Sequence, residues 1–443
     1  MSLRRGRLAT VAVTLALTGA MTLAGCGRAT PGETTPSTTP NTPATTAPTT
    51  PATPTAPAIS LDGPATGNLT LWTVGFGSFM VDSFKAANPG VTINVLEIPW
   101  AAAADQFRSA AAANTLPDVA LMAVPLAEYV DFLSPVPAAL DTSGFFPGAL
   151  QSDTLDGTLY AVPWWVDTRV LYYRTDLAQK AGWTTPPTTW DQFKTFLGDL
   201  QTKAGVAHAF RMQPSGTASF LGSLWAPLSA GAKFTNADGT KWTFNTPEWI
   251  AGYEYVVSLY RDGYADPQAD PALGAAGTEF IGGQTAALID APGSLGALAT
   301  AGGADFAGKF ATAALPAGAS STSFLGGGSL VVFNHTKNPD AAWKLVNWIT
   351  SPKMQLDFFS QSGNLPSIAS VWDDPAMKTN PFYPWLAPFG EQLKTAVSPP
   401  MTTTWMQISA EGDRQFERMV QGVATVPDAL AALQAFADSV GMG

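Results

Sequence analysis

From residue 69 onward, short β-rich runs alternate with helical stretches, and that order restricts the chain to few folds. Leu69 to Val74 is a β-rich run closed by Gly75-Phe76-Gly77. A helical pattern follows from about Phe79 to Ala87 and stops at Asn88-Pro89-Gly90. Val91 to Leu96 alternates with period two, and Asp118 to Met122 reads as a third, buried strand. A β-α-β-α-β order predicts an open, mainly parallel sheet with helices on both faces. Further on, Thr189 and Gln192 have the spacing of a capping box, and Phe193, Phe196, Leu197 and Leu200 form one helical face. Asn338-Pro339-Asp340 opens another helix, with Ala342, Leu345, Val346 and Ile349 on its apolar stripe.

The chain has 443 residues, 46% of them hydrophobic and 13% charged. That is too much for one ordinary core, so more than one lobe is expected. A net charge of −11 repels phosphate backbones and argues against a nucleic-acid partner. One cysteine excludes disulfides within the chain, and the two separated histidines, His208 and His335, exclude a histidine-rich metal site.

Residues 1–25 read as a secretory leader. Arg4, Arg5 and Arg7 precede an apolar run from Leu8 to Leu17, about half the roughly 20 residues a spanning helix needs. The run ends in Leu23-Ala24-Gly25-Cys26, which resembles the bacterial lipobox, where the cysteine carries the lipid and becomes the mature N-terminus. Residues 26–66 read as a lipid-anchored, extended tether, since Thr and Pro make up 20 of the 32 residues from Gly27 to Ala58. Such a domain is expected at the extracellular face of the membrane. The sequons at Asn68 and Asn334 read as chance in such a protein.

Several near-motifs fail on chemistry. Gly303 to Lys309 has P-loop spacing, but Phe310 stands where a hydroxyl must meet magnesium. Met80 replaces the third glycine of a dinucleotide fingerprint that Gly75 and Gly77 begin, and Gly326-Gly327-Gly328-Ser329 has no following lysine. No cofactor is expected.

Four stretches then occur in a telling order. They are Asp156 to Pro163 running on through Asp167 to Leu177 and Ala181-Gly182-Trp183; Pro186 to Trp190; Phe280 to Leu288; and Leu315 to Pro366 with its glycine triplet, Asn338 to Trp343 and Gly363 to Pro366. In this order, over roughly residues 67 to 440, the chain resembles the extracellular solute-binding proteins of carbohydrate ABC importers, the maltose-binding-protein-like family. The resemblance implies an α/β, two-lobed, periplasmic-binding-protein-like fold with an interlobe cleft and multiple crossings. It assigns 67–167 and 287–328 to the N-lobe, and 168–286 and 329–443 to the C-lobe.

It also implies a site. Sugars present C–H faces and a rim of hydroxyls, so they need aromatic platforms and carboxylates. By the resemblance Asp167 takes a cleft-facing acidic position; a helix cap or a hinge salt bridge with Arg169 is the competing reading. One of Trp164 and Trp165 should face the cleft, because neighbours in an extended segment point opposite ways. Trp405, after Pro400-Met401, matches a stacking tryptophan and is the first choice of platform; a core tryptophan at a helix start is the competing reading. Asp290 lies on a cleft loop where Gly293 replaces a tryptophan of many relatives. Phe76, Gly75, Trp225 and Trp100 complete the candidates. No metal or catalytic residue is assigned. The implied function is lipid-anchored, monomeric capture of a mono-, di- or oligosaccharide for ABC permease subunits. A secreted carbohydrate-active enzyme and a receptor's sensing subunit remain alternatives.

Overall fold

A computed structural model describes residues 58–443 except 100, 101, 123, 124, 273 and 401. Cys26, the leader, Trp100 and the tether up to residue 57 lie outside the described residues. Twelve strands are assigned among the described residues: β1 Gly67–Thr73, β2 Val91–Glu97, β3 Val119–Met122, β4 Thr154–Leu155, β5 Thr158–Leu159 and β6 Ala161–Thr168. The rest are β7 Val170–Arg174, β8 Phe210–Arg211, β9 Ala287–Asp290, β10 Phe310–Ala313, β11 Leu325–Val332 and β12 Leu365–Pro366. They form a six-stranded sheet in the order β12-β6-β11-β3-β1-β2, a four-stranded sheet in the order β10-β7-β9-β8, and the β4–β5 hairpin. The hairpin turns at Asp156-Gly157, both at positive φ, the backbone that a tight two-residue turn requires.

Only the β1–β2 and β1–β3 pairs are parallel in the large sheet; the pairs β3–β11, β11–β6 and β6–β12 are antiparallel, so it is mixed rather than mainly parallel. The cause is connectivity. The chain leaves the large sheet along β6, enters the small one at β7, and returns along β11, so outgoing and returning strands must oppose. A third run lies beside the return: Leu325 N–H donates to Val397 O at 2.9 Å, and Val397 N–H to Ser323 O at 2.9 Å.

This pairing redraws the lobe boundaries expected from the sequence. β9 and β10 belong to the small sheet, not with residues 67–167. β11 and β12 belong to the large one, as do the helices Pro339–Ile349 and Pro352–Ser362, whose Trp343, Val346 and Phe358 share a core with Leu69 and Leu71. The expected tether is also too long at its end. Ile59 and Leu61 pack on that core, Ala65 is buried, and Ala65 N–H donates to Asn88 Oδ1 at 2.7 Å. These apolar residues give the segment something to bury, as the Thr/Pro run before it does not.

Local signals are otherwise followed closely. The helix Trp190–Asp199 buries Phe193, Phe196 and Leu197, and Thr189 Oγ1 accepts from Gln192 N–H. Gln192 Oε1 returns its bond to Thr188, one residue earlier than a standard capping box.

Candidate functional site

The burial pattern of β6 builds the site. Trp164, Val166 and Thr168 are buried, whereas Trp165 and Asp167 are partly exposed and so share the open face of the strand. Beside them runs the glycine triplet: β11 pairs Gly326 with Asp167 and Gly328 with Trp165. A Cβ at Gly328 would fall inside the Trp165 indole, and one at Gly326 would sit 2.8 Å from Phe324 Cε1. The glycines therefore let two aromatic rings come up against the backbone of the crossing strand, which a side chain at either position would prevent. The triplet shows no phosphate chemistry; its role here is space.

Behind Trp165 lies an aromatic wall. Trp164 is fully buried and stacks on Phe358 (centroids 4.0 Å apart, planes at 20°). Its indole N–H has no partner among the described residues. Trp165 meets Trp164 edge-on at 5.3 Å. Phe76 stands edge-on to Phe358 at 4.9 Å and to Trp164 at 6.4 Å, and remains 46% exposed. Gly75 and Phe76 both adopt positive φ, turning the chain sharply from β1 into the helix Gly77–Ala87.

Toward the small sheet the same face turns ionic. Asp167 Oδ1 accepts from Arg169 Nη1 at 2.5 Å, and the guanidinium lies over the Phe324 ring, 5.7 Å from its centroid. Burial pushes the Asp167 carboxyl up; the charge and hydrogen bond of Arg169 oppose that, and Asp290 adds to it. Burial works against the Arg169 charge, yet Asp167 and Asp290 together hold its pKa above the ordinary value. Asp290 is itself engaged, with Oδ1 on Ala291 N–H at 2.7 Å and Oδ2 on Ser294 Oγ at 2.7 Å. Tyr172 O–H donates to Ala291 O at 2.6 Å, and burial keeps that phenol neutral. A Cβ at Gly293 would sit 3.2 Å from Asn364 Oδ1, so that amide lies close beside the turn.

Two candidates fall elsewhere. Trp405 is only 6% exposed and packs on Trp242 (5.9 Å), Phe234 (5.5 Å) and Phe220 (6.5 Å). It begins the amphipathic helix Trp405–Val420, whose buried stripe continues through Ile408, Gly412, Phe416 and Met419. The expected platform is thus a core residue, and that stripe was visible in the sequence. Trp225 is likewise buried, between Phe210 and Tyr255. Asp167, Arg169, Asp290, Trp164, Trp165, Phe76 and Gly75 are brought together along the β6 face. Sequence reasoning missed Phe358, Phe324 and the platform role of the triplet. Phe358 sits in a helical core pattern, and nothing local marks it.

A groove of ≈ 670 Å3 opens elsewhere at the crossings, lined by Gln151, Thr154, Asp156, Leu325, Val397 and Thr403 among others. Another of ≈ 750 Å3 lies between the helix Gly77–Ala87 and the helices that carry Trp348 and Met354. Among the described residues no cluster of three metal-ligating side chains occurs, and no helix is long and apolar enough to cross a membrane.

Comparison with known proteins extends this picture. The family described as bacterial extracellular solute-binding protein matches residues 80–384. A probable ABC transporter-binding protein of Deinococcus radiodurans is 30% identical over 307 residues, covering 67% of this chain and 71% of that one. The lactose-binding protein of Rhizobium radiobacter is 25% identical over 318 residues, 67% of this chain and 72% of that one. The solved sugar-binding protein MalE of Xanthomonas citri superposes with a TM-score of 0.75 at 26% identity, over 84% of this chain and 97% of that one.

Proposed function

The chain belongs to the bacterial extracellular solute-binding protein family, and we propose that it captures a neutral saccharide between its lobes for an ABC importer. The observation that carries this reading is the open face of β6, where the partly exposed Trp165 indole lies against Gly328 beside Asp167 and Arg169. An exposed indole suits the C–H face of a pyranose, and the carboxylates and guanidinium suit its hydroxyls. Trp165 belongs to the large sheet and Asp290 to the small one, so a ligand touching both gains contacts only when the lobes approach. Closure is then driven by that differential affinity, and the closed form is what a permease would receive.

Members of this family bind solute rather than transform it, and the carboxylates here fit that role. Asp167 Oδ1 is paired with Arg169, and Asp290 accepts from Ala291 N–H and Ser294 Oγ, partners that hold both carboxylates in place with lone pairs left for sugar hydroxyls. In this reading Cys26 carries the lipid that holds a monomer at the outer face of the membrane.

The test is a saccharide titration followed by small-angle scattering. Ligand held near the parent's Kd should compact the protein, and Trp165→Ala should remove most of that compaction at the same concentration. Compaction retained in that variant, or sugar hydrolysis lost in Asp167→Asn, would contradict the reading. Separately, Cys26→Ser should move the protein from the membrane to the soluble fraction; retention on the membrane would refute the anchor.

A further inference from the structure

The register of the large sheet brings one more polar side chain to the open face of β6. β12 pairs Leu365 with Val166 and Pro366 with Trp165. Residues opposite one another in an antiparallel pair share a face, and Leu365 and Val166 are accordingly both buried. One step further along the same register sets Asn364 opposite Asp167, on the side of β6 away from Gly326. Asn364 is partly exposed, as Asp167 is.

The Asn364 amide is held in one orientation. Ser362 Oγ donates to Phe358 O at 2.8 Å, so its lone pairs are left to accept from Asn364 N–H at 3.2 Å and Nδ2 at 3.1 Å. With the amide nitrogen committed, Oδ1 is the outward atom, and among the described residues it accepts no hydrogen bond. It points toward the small sheet, 3.2 Å from where a Cβ at Gly293 would stand. The turn that carries it already touches the start of the helix Gly293–Gly302: a Cβ at Gly296 would lie 2.7 Å from Ser362 O, and one at Gly363 3.1 Å from Pro292 O. That helix also bears Ser294, the partner of Asp290. Asn364 Oδ1 thus lies between Asp167 on the large sheet and the Asp290 turn on the small one.

Building on the proposed sugar site, we infer that Asn364 is a further ligand-contacting residue, and that with Asp167 it selects a saccharide bearing two free hydroxyls on neighbouring carbons. Side chains directly opposite in an antiparallel pair begin about 5 Å apart, close enough to serve adjacent ring substituents. Asp167 gives one oxygen to Arg169 and keeps the other, and Asn364 offers Oδ1. Both are acceptors, so the ligand must supply two protons. A vicinal diol has them; a ring oxygen, a glycosidic oxygen or a methyl ether has none.

Calorimetric titration with D-glucose, D-galactose and maltose, followed by the monodeoxy analogues of the tightest binder, tests this. Two analogues that lack hydroxyls on neighbouring carbons should each bind about fivefold or more weakly than their parent sugar. Asn364→Ala should weaken the parent sugar about fivefold, and one of those two analogues should then bind within about twofold of it. Unchanged affinity in Asn364→Ala overturns the inference, whether or not its melting temperature falls, and so do deoxy penalties that are the same in variant and parent protein. If Asn364→Ala binds too weakly to titrate, Asn364→Asp, which keeps an acceptor, should restore titratable binding; failure to restore it is equally contrary. All these results leave sugar capture standing, since the parent protein binds. Failure of all three sugars to bind the parent protein counts against both readings.

Discussion

Two groups of tryptophans in this molecule have similar sequence surroundings and opposite fates. Trp164-Trp165 and Trp405 each come within a few residues after a proline, and each suits a sugar platform by residue type. Trp405 starts a helix whose apolar stripe faces inward, so its indole joins Trp242, Phe234 and Phe220 in the core. Trp165 lies on a crossing strand with Gly328 against its ring and Trp164 edge-on to it, and it stays partly exposed. What packs around an aromatic ring decides its use. A ring packed on rings is structure; a ring set against backbone and left partly exposed is available to a ligand.

The largest effect should come from breaking the buried member. Trp405→Ala should lower stability by about 3–5 kcal/mol in a urea melt and leave sugar affinity of the folded fraction unchanged. An undiminished melt with weakened binding would return Trp405 to the site.

The crossing region has a buried cost of its own. Asp153 is 4% exposed beside Ser329, which pairs with Pro163 where β6 bulges at Trp164, and its Oδ2 has no partner among the described residues. Burial pushes its carboxyl up to about 7, partly opposed by a hydrogen bond from Ser329. Because the folded value lies above the ordinary 3.8, the stabilising contribution of the neutral form is complete below about pH 4 and is lost as pH rises through 7. Asp153→Asn should therefore gain on the parent by up to about 4 kcal/mol between pH 4 and pH 8, seen in melts across that range. A constant difference would place the carboxyl in contact with water.

Two smaller effects sharpen the contrast from the other side. Gly328→Val, which drives a branched side chain into the Trp165 indole, should cost about 1–3 kcal/mol of stability and also remove the platform. Trp165→Ala should weaken sugar binding roughly five- to thirtyfold with little change in the melt. If Gly328→Val binds sugar normally, the seat of the indole is not what the ligand uses.

How far the sequence carries depends on whether a signal is local. Helices such as Trp190–Asp199 and Pro339–Ile349 announce themselves through caps and stripes, and their residues fold as the period dictates. The ion pair of Asp167 with Arg169 was legible from a spacing of two. Lobe membership was not, because β11 and β12 join the large sheet through pairings with β6, about 160 to 200 residues earlier in the chain. The seat of Trp165 was hidden for the same reason: Gly328 reaches it only across the sheet. Trp405 goes inward because the helix it begins carries an apolar stripe through Ile408, Phe416 and Met419, and residue type at a turn does not reveal that direction.

The most direct measurement is a crystal structure with a bound saccharide that calorimetry has shown to bind. A pyranose ring stacked on the Trp165 indole, with a hydroxyl hydrogen-bonded to Asp167, Arg169 or Asp290, is the predicted result. A sugar seated instead in the groove lined by Gln151, Asp156 and Thr403, with the β6 face bare, would contradict it.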